Sequence, residues 1–424
     1  STGGTEDAAW ASHAAAEPLR TPSQVLTAPS PVTTGVTEPR LMIVACEPSG
    51  DMQAGALVHA VHERCPQVQV VGVGSQALRQ ERVTMLYDSS VWGTVGVWQA
   101  LPRIPSIMRA FQGIKRAILA QRPDLLVVID SPAINLPLVK FARQHGVKTV
   151  YYFPPSQWTE NLKRHRYIAS VADDVVVAFR FTADRYREAG LNPVYFGHPL
   201  LDVLDKVPDR SGARQALQVP QQGTYVGLLP GSRTQEIDYL LPVFLQAARR
   251  LVAQQPDLRF LIPVANPALR PRIDRLLTAD LPTTLVEGQG RLVMAASNVL
   301  MTCSGTATLE AAVLGIPMVI AYRLPWLDYR VGKLLPIKVR WFGLPNLVMQ
   351  KTLVPELLQN QVTPERVAAQ VGELLQDSDK RRIMEEELAG VKKALGFPGA
   401  VAAVADLIVE KLALGPTRHR HHHE

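Results

Sequence analysis

The sequence predicts an α/β protein of two doubly wound parallel-sheet domains facing a cleft. Three observations lead there. The chain has 424 residues, more than one ordinary core covers. From Leu41 onward, short β-branched runs alternate with helical patterns, the rhythm of βαβ units. That rhythm stops at a polar stretch near residue 201 and restarts at Thr224, which makes two units.

Taken in order, residues 1–39 are rich in Ala, Thr, Ser and Pro, with neither helical nor strand periodicity. They are expected to form a disordered extension. They also lack a basic segment followed by an apolar one, so no secretory signal is expected. The first domain is expected over 40–203, with strands at 41–45, 68–73, 124–129, 148–153 and 174–179 and helices between them. Residues 201–223 hold Asp202, Asp205, Lys206, Pro208, Asp209, Arg210 and a Pro220-Gln-Gln-Gly turn, and read as a linker. The second domain is expected over 204–395. It opens with a strand at 224–229 and a helix at 234–254, whose Ile237, Leu240, Leu241, Phe244, Ala248 and Leu251 share one face. Further strands fit 260–264, 284–287, 299–302 and 318–322. From 364 to 414 the pattern is helical only. Residues 396–424 form a last helix and a tail, with a His-rich, tag-like end.

Composition bounds the function. The formal charge of +7 and a sequence pI near 9.3 point to an anionic partner: nucleic acid, a phosphorylated metabolite or an acidic membrane surface. Cys46, Cys65 and Cys303 are the only cysteines. An odd, scattered set argues against a disulfide framework and a Cys-type zinc site. No apolar run approaches the length of about 18 residues that a spanning helix needs.

In doubly wound sheets, ligands bind where strands end, so the loops after strands carry the chemistry. The first is Cys46-Glu47-Pro48-Ser49-Gly50-Asp51. Gly50 permits a tight turn and Ser49 or Asp51 can cap a helix, but Glu47 is more than a turn requires. The second is Asp130-Ser131-Pro132, after the buried run 125–129. Asp130 is either a helix cap or a general base facing the cleft. The third is Pro230-Gly231-Ser232-Arg233 with Glu236, a turn followed by an unexplained cation. The fourth, Ser304-Gly305-Thr306-Ala307-Thr308 with Glu310, opens a helix with small residues, whose N–H groups suit a phosphate or simple capping. Phe196-Gly197-His198-Pro199 and Leu344-Pro345-Asn346-Leu347 are loop-like. Asp377-Ser378-Asp379 lies between helices and reads as a cap.

Together these loops resemble the lipid-A-disaccharide synthase family, glycosyltransferases of the GT-B fold with two Rossmann-like domains. The markers are EPSGD (47–51), IDSP (129–132), PSQW (155–158), GHPLLD (197–202), LPGSR with Glu236, SGTATLE (304–310), YR (322–323) and LPNL (344–347), spread from about 41 to 410. The resemblance implies transfer of 2,3-diacylglucosamine from UDP to 2,3-diacylglucosamine 1-phosphate, with inversion, without metal or other cofactor, to give a β-1,6 disaccharide and UDP. It implies Asp130 and Glu47 as catalytic residues. On the UDP side it implies Arg233, Ser232, Gly231, Glu236, Ser304, Gly305, Thr306, Ala307, Thr308, Glu310 and Asn346. On the acceptor side it implies Ser49, Gly50, Asp51, Ser156, Trp158 and His198. The last helix would cross back to the first domain. The setting implied is the cytoplasmic face of the inner membrane, with no nucleic-acid partner and the oligomeric state open.

A surface signal agrees with a membrane setting. Residues 89–123 contain no acid but hold Trp92, Trp98, Ile104, Ile107, Met108, Phe111, Ile114 and Ile118 beside Arg103, Arg109, Lys115 and Arg116. That pattern suits an interfacial helix, or an ordinary core-facing one. A second stretch, 324–342, carries Trp326 and Trp341 among basic residues. The chain departs from the family pattern at Cys46, Ala133 and Thr159-Glu160-Asn161, all on the acceptor side. The residues alone leave three other readings open: a transferase with another lipid acceptor, a UDP-sugar 2-epimerase, and a non-catalytic nucleotide-sugar or lipid-binding relative.

Overall fold

The run Leu125-Leu126-Val127-Val128-Ile129 has no polar face, so it needs cover on both sides. A computed structural model describes residues 38–90, 104–154, 162–323 and 341–413, and there this run is an inner strand of a six-stranded parallel sheet. That sheet comprises β1 (Arg40–Ala45), β2 (Gln69–Gly74), β3 (Val83–Asp88), β4 (Leu125–Ile129), β5 (Lys148–Tyr152) and β6 (Asp174–Val176). The order is β3-β2-β1-β4-β5-β6, with Ala45 of β1 level with Ile129 of β4.

Alternation along β1 sends the helices to opposite faces. Leu41, Ile43 and Ala45 share a core with Ala54, Leu57, Val58 and Val61 of α1 (Pro48–Arg64). The short α2 (Gln76–Gln80) joins β2 to β3. Met42 and Val44 point the other way, into a core with Ala110, Ile114 and Ile118 of α3 (Ile104–Gln121) and Leu138 and Val139 of α4 (Pro132–Gln144). The helices after β1 and β4 thus leave on different sides. α5 (Leu162–Val171) and α6 (Arg180–Glu188) complete this unit.

The second sheet repeats the plan. It holds β7 (Thr224–Leu229), β8 (Leu258–Val264), β9 (Thr283–Glu287), β10 (Val299–Cys303), β11 (Met318–Tyr322) and β12 (Glu356–Leu358), in the order β9-β8-β7-β10-β11-β12. Leu229 of β7 lies level with Thr302 of β10. α7 (Leu200–Leu204) and α8 (Arg210–Ala216) precede this sheet, and α9 (Thr234–Gln254) follows β7. α10 (Arg270–Asp274), α11 (Gly290–Ala296), α12 (Thr306–Val313) and α13 (Leu344–Met349) follow in turn. Two parallel sheets of one topology in one chain are the predicted pair of Rossmann-like α/β domains.

The structure corrects several details. β3 and β12 were not expected. Both are edge strands, one half-exposed and one of three residues, so neither shows the continuous apolar run that marks an inner strand. The 201–223 stretch is not an open linker but carries most of α7 and all of α8, with Asp209 capping α8 through Gly212 N. The interfacial helix is split in role. Ile114 and Ile118 belong to the core, Ile107 and Phe111 pack against it, and Ile104 and Met108 are exposed. Trp341 is buried and donates to Thr352 Oγ1 at 3.1 Å. Trp92, Trp98, Arg103, Trp326, residues 1–37 and the tail from 414 lie outside the described residues.

The chain ends in α14 (Pro364–Gln376), α15 (Ser378–Ala394) and α16 (Ala400–Ala413). Asp377 caps α15, accepting from Asp379 N and Lys380 N. α16 packs on α1 of the first unit, where Arg64 pairs with Asp406, and Lys411 pairs with Asp174 at 2.7 Å. Asp202 fixes the start of this helix by accepting from Gly399 N and from Val401 N. Gly197 closes the joint: at φ +99° it suits a residue without Cβ, and a Cβ there would lie 2.9 Å from Phe397 O. Removing the acceptor in Asp202→Ala is expected to cost about 1 kcal/mol. Amides of α16 would then exchange roughly fivefold faster by mass spectrometry. Unchanged exchange would show that this cap contributes nothing.

Candidate functional site

Each sheet opens a crevice where its order reverses, between β1 and β4 in the first and between β7 and β10 in the second. The four loops singled out from the sequence are the four that flank these two crevices. In the first, Glu47 precedes α1 and Asp130 follows β4. Asp130 and Ser131 are both left-handed, at φ 50° and 38°. Such a conformation costs non-glycine residues roughly 1–3 kcal/mol each. Neighbours hold it: Asn135 Nδ2 donates to Ile129 O at 2.8 Å and to Asp130 O at 2.7 Å, and Tyr151 Oη donates to Asp130 O at 2.8 Å. The turn places the Asp130 carboxylate against the start of α1, where a Cβ on Gly50 would lie 3.7 Å from its Oδ2.

Electrostatics follow from that placement. Burial, and then the charge of Glu47, push the Asp130 carboxyl up to about 7. Burial first, with Glu47 adding to it, pushes the neighbouring Cys46 thiol up to about 12, so it stays a protonated packing group. Asn135 Oδ1 is buried without a hydrogen-bond partner among the described residues.

Two acceptor-side expectations need correction. Asp51 is buried, and its carboxylate accepts from Ser75 N at 2.6 Å, Ala77 N at 2.8 Å and Leu78 N at 3.3 Å. It caps α2 from beneath and is spent there. His198 is buried between Phe153 and Phe179, its Nδ1 accepts from Leu200 N, and its backbone N–H donates to Leu395 O. Burial pushes its pKa down to about 4, so it is a neutral ring in the joint between the units. Ser49 is half-buried in the first turn of α1, and Ser156 and Trp158 lie outside the described residues.

In the second crevice, Gly231 has φ +124°, and a Cβ there would strike Glu236 Oε2. Glu236 Oε2 accepts from Ser232 N at 2.9 Å and Arg233 N at 3.1 Å, and its Oε1 faces Arg233 Nη1 at 3.4 Å. Glu236 therefore shapes the loop, while Arg233 stands at the N-terminal boundary of α9, its side chain partly exposed and making no cap hydrogen bond. Next to it, Ser304 Oγ donates to Phe342 O, Gly305 is open, and Thr306 and Ala307 form the first turn of α12. Thr308 is buried and donates to Gly305 O, so its hydroxyl serves the helix start. Asn346 also needs correction. It is wholly buried, donates to Val354 O and Glu356 Oε1, and accepts from Leu353 N and Val354 N. Its amide ties α13 to β12 and does not face the crevice. Glu310 is held by Arg291 at 2.9 Å.

Comparison with known proteins decides the family. Residues 41–399 match the family described as Lipid-A-disaccharide synthetase. The chain is 37% identical over 377 residues to the lipid-A-disaccharide synthase of Geobacter sulfurreducens, covering 89% of this chain and 98% of that protein. It is 36% identical over 344 residues to that of Pseudomonas aeruginosa strain UCBPP-PA14, covering 81% and 91%. This chain belongs to the lipid-A-disaccharide synthase family. Similar solved structures include S. aureus MnaA with UDP (TM-score 0.63, 15% identity, 89% of this chain and 97% of that one). Acinetobacter baumannii MurG is another (0.54, 15%, 88% and 99%). At that identity the likeness is one of fold. Against the synthase family's pattern, Cys46 proves to be packed beneath the Asp130 turn, while Ala133 is exposed in the first turn of α4.

Asn135 lies within the second loop as read from the sequence but without a role, and the sequence does not single out Tyr151 or Arg291. Asn135 had one signal, an amide side chain four residues past Ser131 in a helix start. Tyr151 and Arg291 had none, since their partners lie 21 and 19 residues away.

A carboxyl raised from 3.8 to about 7 binds its proton more tightly in the folded state, so folding stability falls as pH rises from about 4 to 7. In Asp130→Asn that penalty is gone. Its stability advantage over the natural chain, read by urea unfolding, should grow across that window and level off above it, at up to about 4 kcal/mol. Glu47→Gln should move the upper end of the window to lower pH. A difference that does not change with pH would rule out the raised carboxyl.

Proposed function

We propose that this protein is a glycosyltransferase that forms the lipid A disaccharide, passing 2,3-diacylglucosamine from UDP to 2,3-diacylglucosamine 1-phosphate. The observation that carries the reading is Asp130: a half-buried carboxylate poised near neutral pH at the end of β4, in a chain of this family. The acceptor hydroxyl attacks the anomeric carbon, its proton passes to Asp130, and the bond to UDP breaks on the opposite face. The anomeric centre inverts and a β-1,6 link forms. A general base is most effective when its pKa lies near the working pH. The leaving diphosphate gains charge, and we assign its stabilisation to Arg233 and the first turn of α12, without a metal. Glu310 is assigned to the ribose of the donor. The relatives at 36–37% identity carry the synthase name, whereas epimerases match at 15% or so, so the epimerase and non-catalytic readings are not favoured.

Incubation with the two acyl-sugar substrates should yield UDP and a disaccharide, read by mass spectrometry. Asp130→Asn should lower turnover by at least about a hundredfold while UDP still binds. Absence of both products from the natural chain would sink the reading; normal turnover in Asp130→Asn would remove that residue from the role.

Acylated substrates reside in a bilayer, and among the described residues no helix is long and apolar enough to cross one. We assign surface docking to the exposed end of α3, where Ile104 and Met108 stand beside Arg109. Ile104→Glu with Met108→Glu should weaken flotation with anionic phospholipid vesicles by about fivefold or more. Unchanged flotation would rule out this helix.

A further inference from the structure

We propose that Arg291 is a positioning residue of the donor-nucleotide site: it grips one oxygen of Glu310 so that the other is presented to the 2′,3′-diol of the nucleoside. This rests on the assignment of Glu310 to the donor ribose made above.

The geometry of the pair is unusual within this chain. Arg291 Nε and Nη2 both donate to Glu310 Oε1, at 3.0 and 2.9 Å. A guanidinium paired with a carboxylate frequently lays its fork across both oxygens. Arg272 does this with Asp238, Nε on Oδ1 and Nη2 on Oδ2, whereas Arg270 reaches both oxygens of Asp274 with Nε alone, and Arg79 and Arg185 each touch one carboxylate oxygen with one nitrogen. At Glu310 the fork closes on one oxygen and leaves Oε2 outside the pair.

Burial and placement agree. The Glu310 and Arg291 side chains are 14% and 29% exposed. The pair is therefore less screened than a surface pair, yet it still opens to solvent. Glu310 stands one turn beyond Thr306, on the helix that starts at the end of β10. β10 adjoins β7, whose loop carries Arg233. Arg291 comes from a different helix, α11, so no local helix rule places it there. A carboxylate that accepts from two hydroxyls must be held at one angle, and a rigid planar fork from a second element does that.

The test compares binding of UDP and of 2′,3′-dideoxy-UDP to the full chain by calorimetry. The natural chain should prefer UDP by roughly tenfold or more, as expected for hydrogen bonds to a charged acceptor. Glu310→Ala should bring the two affinities to within about twofold. Arg291→Met should do nearly the same, and Arg291→Lys should restore only part of the preference, since an ammonium lacks the fork. In turnover, the donor KM of Arg291→Met should rise by more than kcat falls. Thermal melting checks that each variant folds, and Arg291→Lys with Arg291→Gln carry the test if Arg291→Met does not. A preference kept in the Arg291 variants but lost in Glu310→Ala overturns the role of Arg291 and leaves the ribose assignment standing. No preference in the natural chain overturns both.

Discussion

Two adjacent parallel strands whose helices leave on opposite faces cannot close over their own carboxyl ends. That constraint acts twice here, at β1 with β4 and at β7 with β10. Everything chemical in the chain follows from it. The side chains of β1 alternate between two cores, one with α1 and one with α3 and α4, and the divergence of those helices leaves a crevice. Glu47 and Asp130 meet there because their strands are neighbours, although 83 residues separate them in sequence.

The first crevice then uses burial as a chemical tool. Two consecutive non-glycine residues in left-handed conformation are costly. The turn persists because three hydrogen bonds, from Asn135 and Tyr151, converge on the carbonyls of Ile129 and Asp130. In exchange the carboxyl lies in a desolvated place beside a second carboxylate, and both effects favour its neutral form. A solvent-exposed aspartate would be a much weaker base at neutral pH. The second crevice is shaped differently. There a carboxylate, Glu236, gathers two backbone N–H groups and faces the Arg233 guanidinium.

Several polar residues that seemed to belong to the chemistry instead hold the loops that carry it. Asp51 caps α2, Asn346 joins α13 to β12, and His198 sits neutral between aromatic rings at the joint. Each is buried and accepts hydrogen bonds from backbone N–H groups, as buried polar side chains commonly do. Their effect on the site is indirect. Asn346 binds Glu356, Glu356 accepts from Phe342 N and Gly343 N, and Phe342 O takes the Ser304 hydroxyl.

The sequence by itself determined the inner strands and the edge strands β6 and β9, the two-unit plan and the four loops worth searching. Periodicity and continuous apolar runs are local properties, and a strand buried on both faces writes them plainly. Edge strands β3 and β12 escaped because neither shows a continuous apolar run: β3 is half-exposed with polar positions, and β12 has three residues. Tertiary structure alone decided which polar residues in those loops face a crevice and which are consumed as caps. Asp51 and Asp130 look equivalent as acids near a strand end. One finds three backbone N–H groups at the start of α2, and the other is desolvated beside Glu47. The same holds for Arg291, whose partner on another helix no spacing rule could name. Hydrogen-bond partners and desolvation depend on which distant segments arrive at a point in space, and only packing sets that.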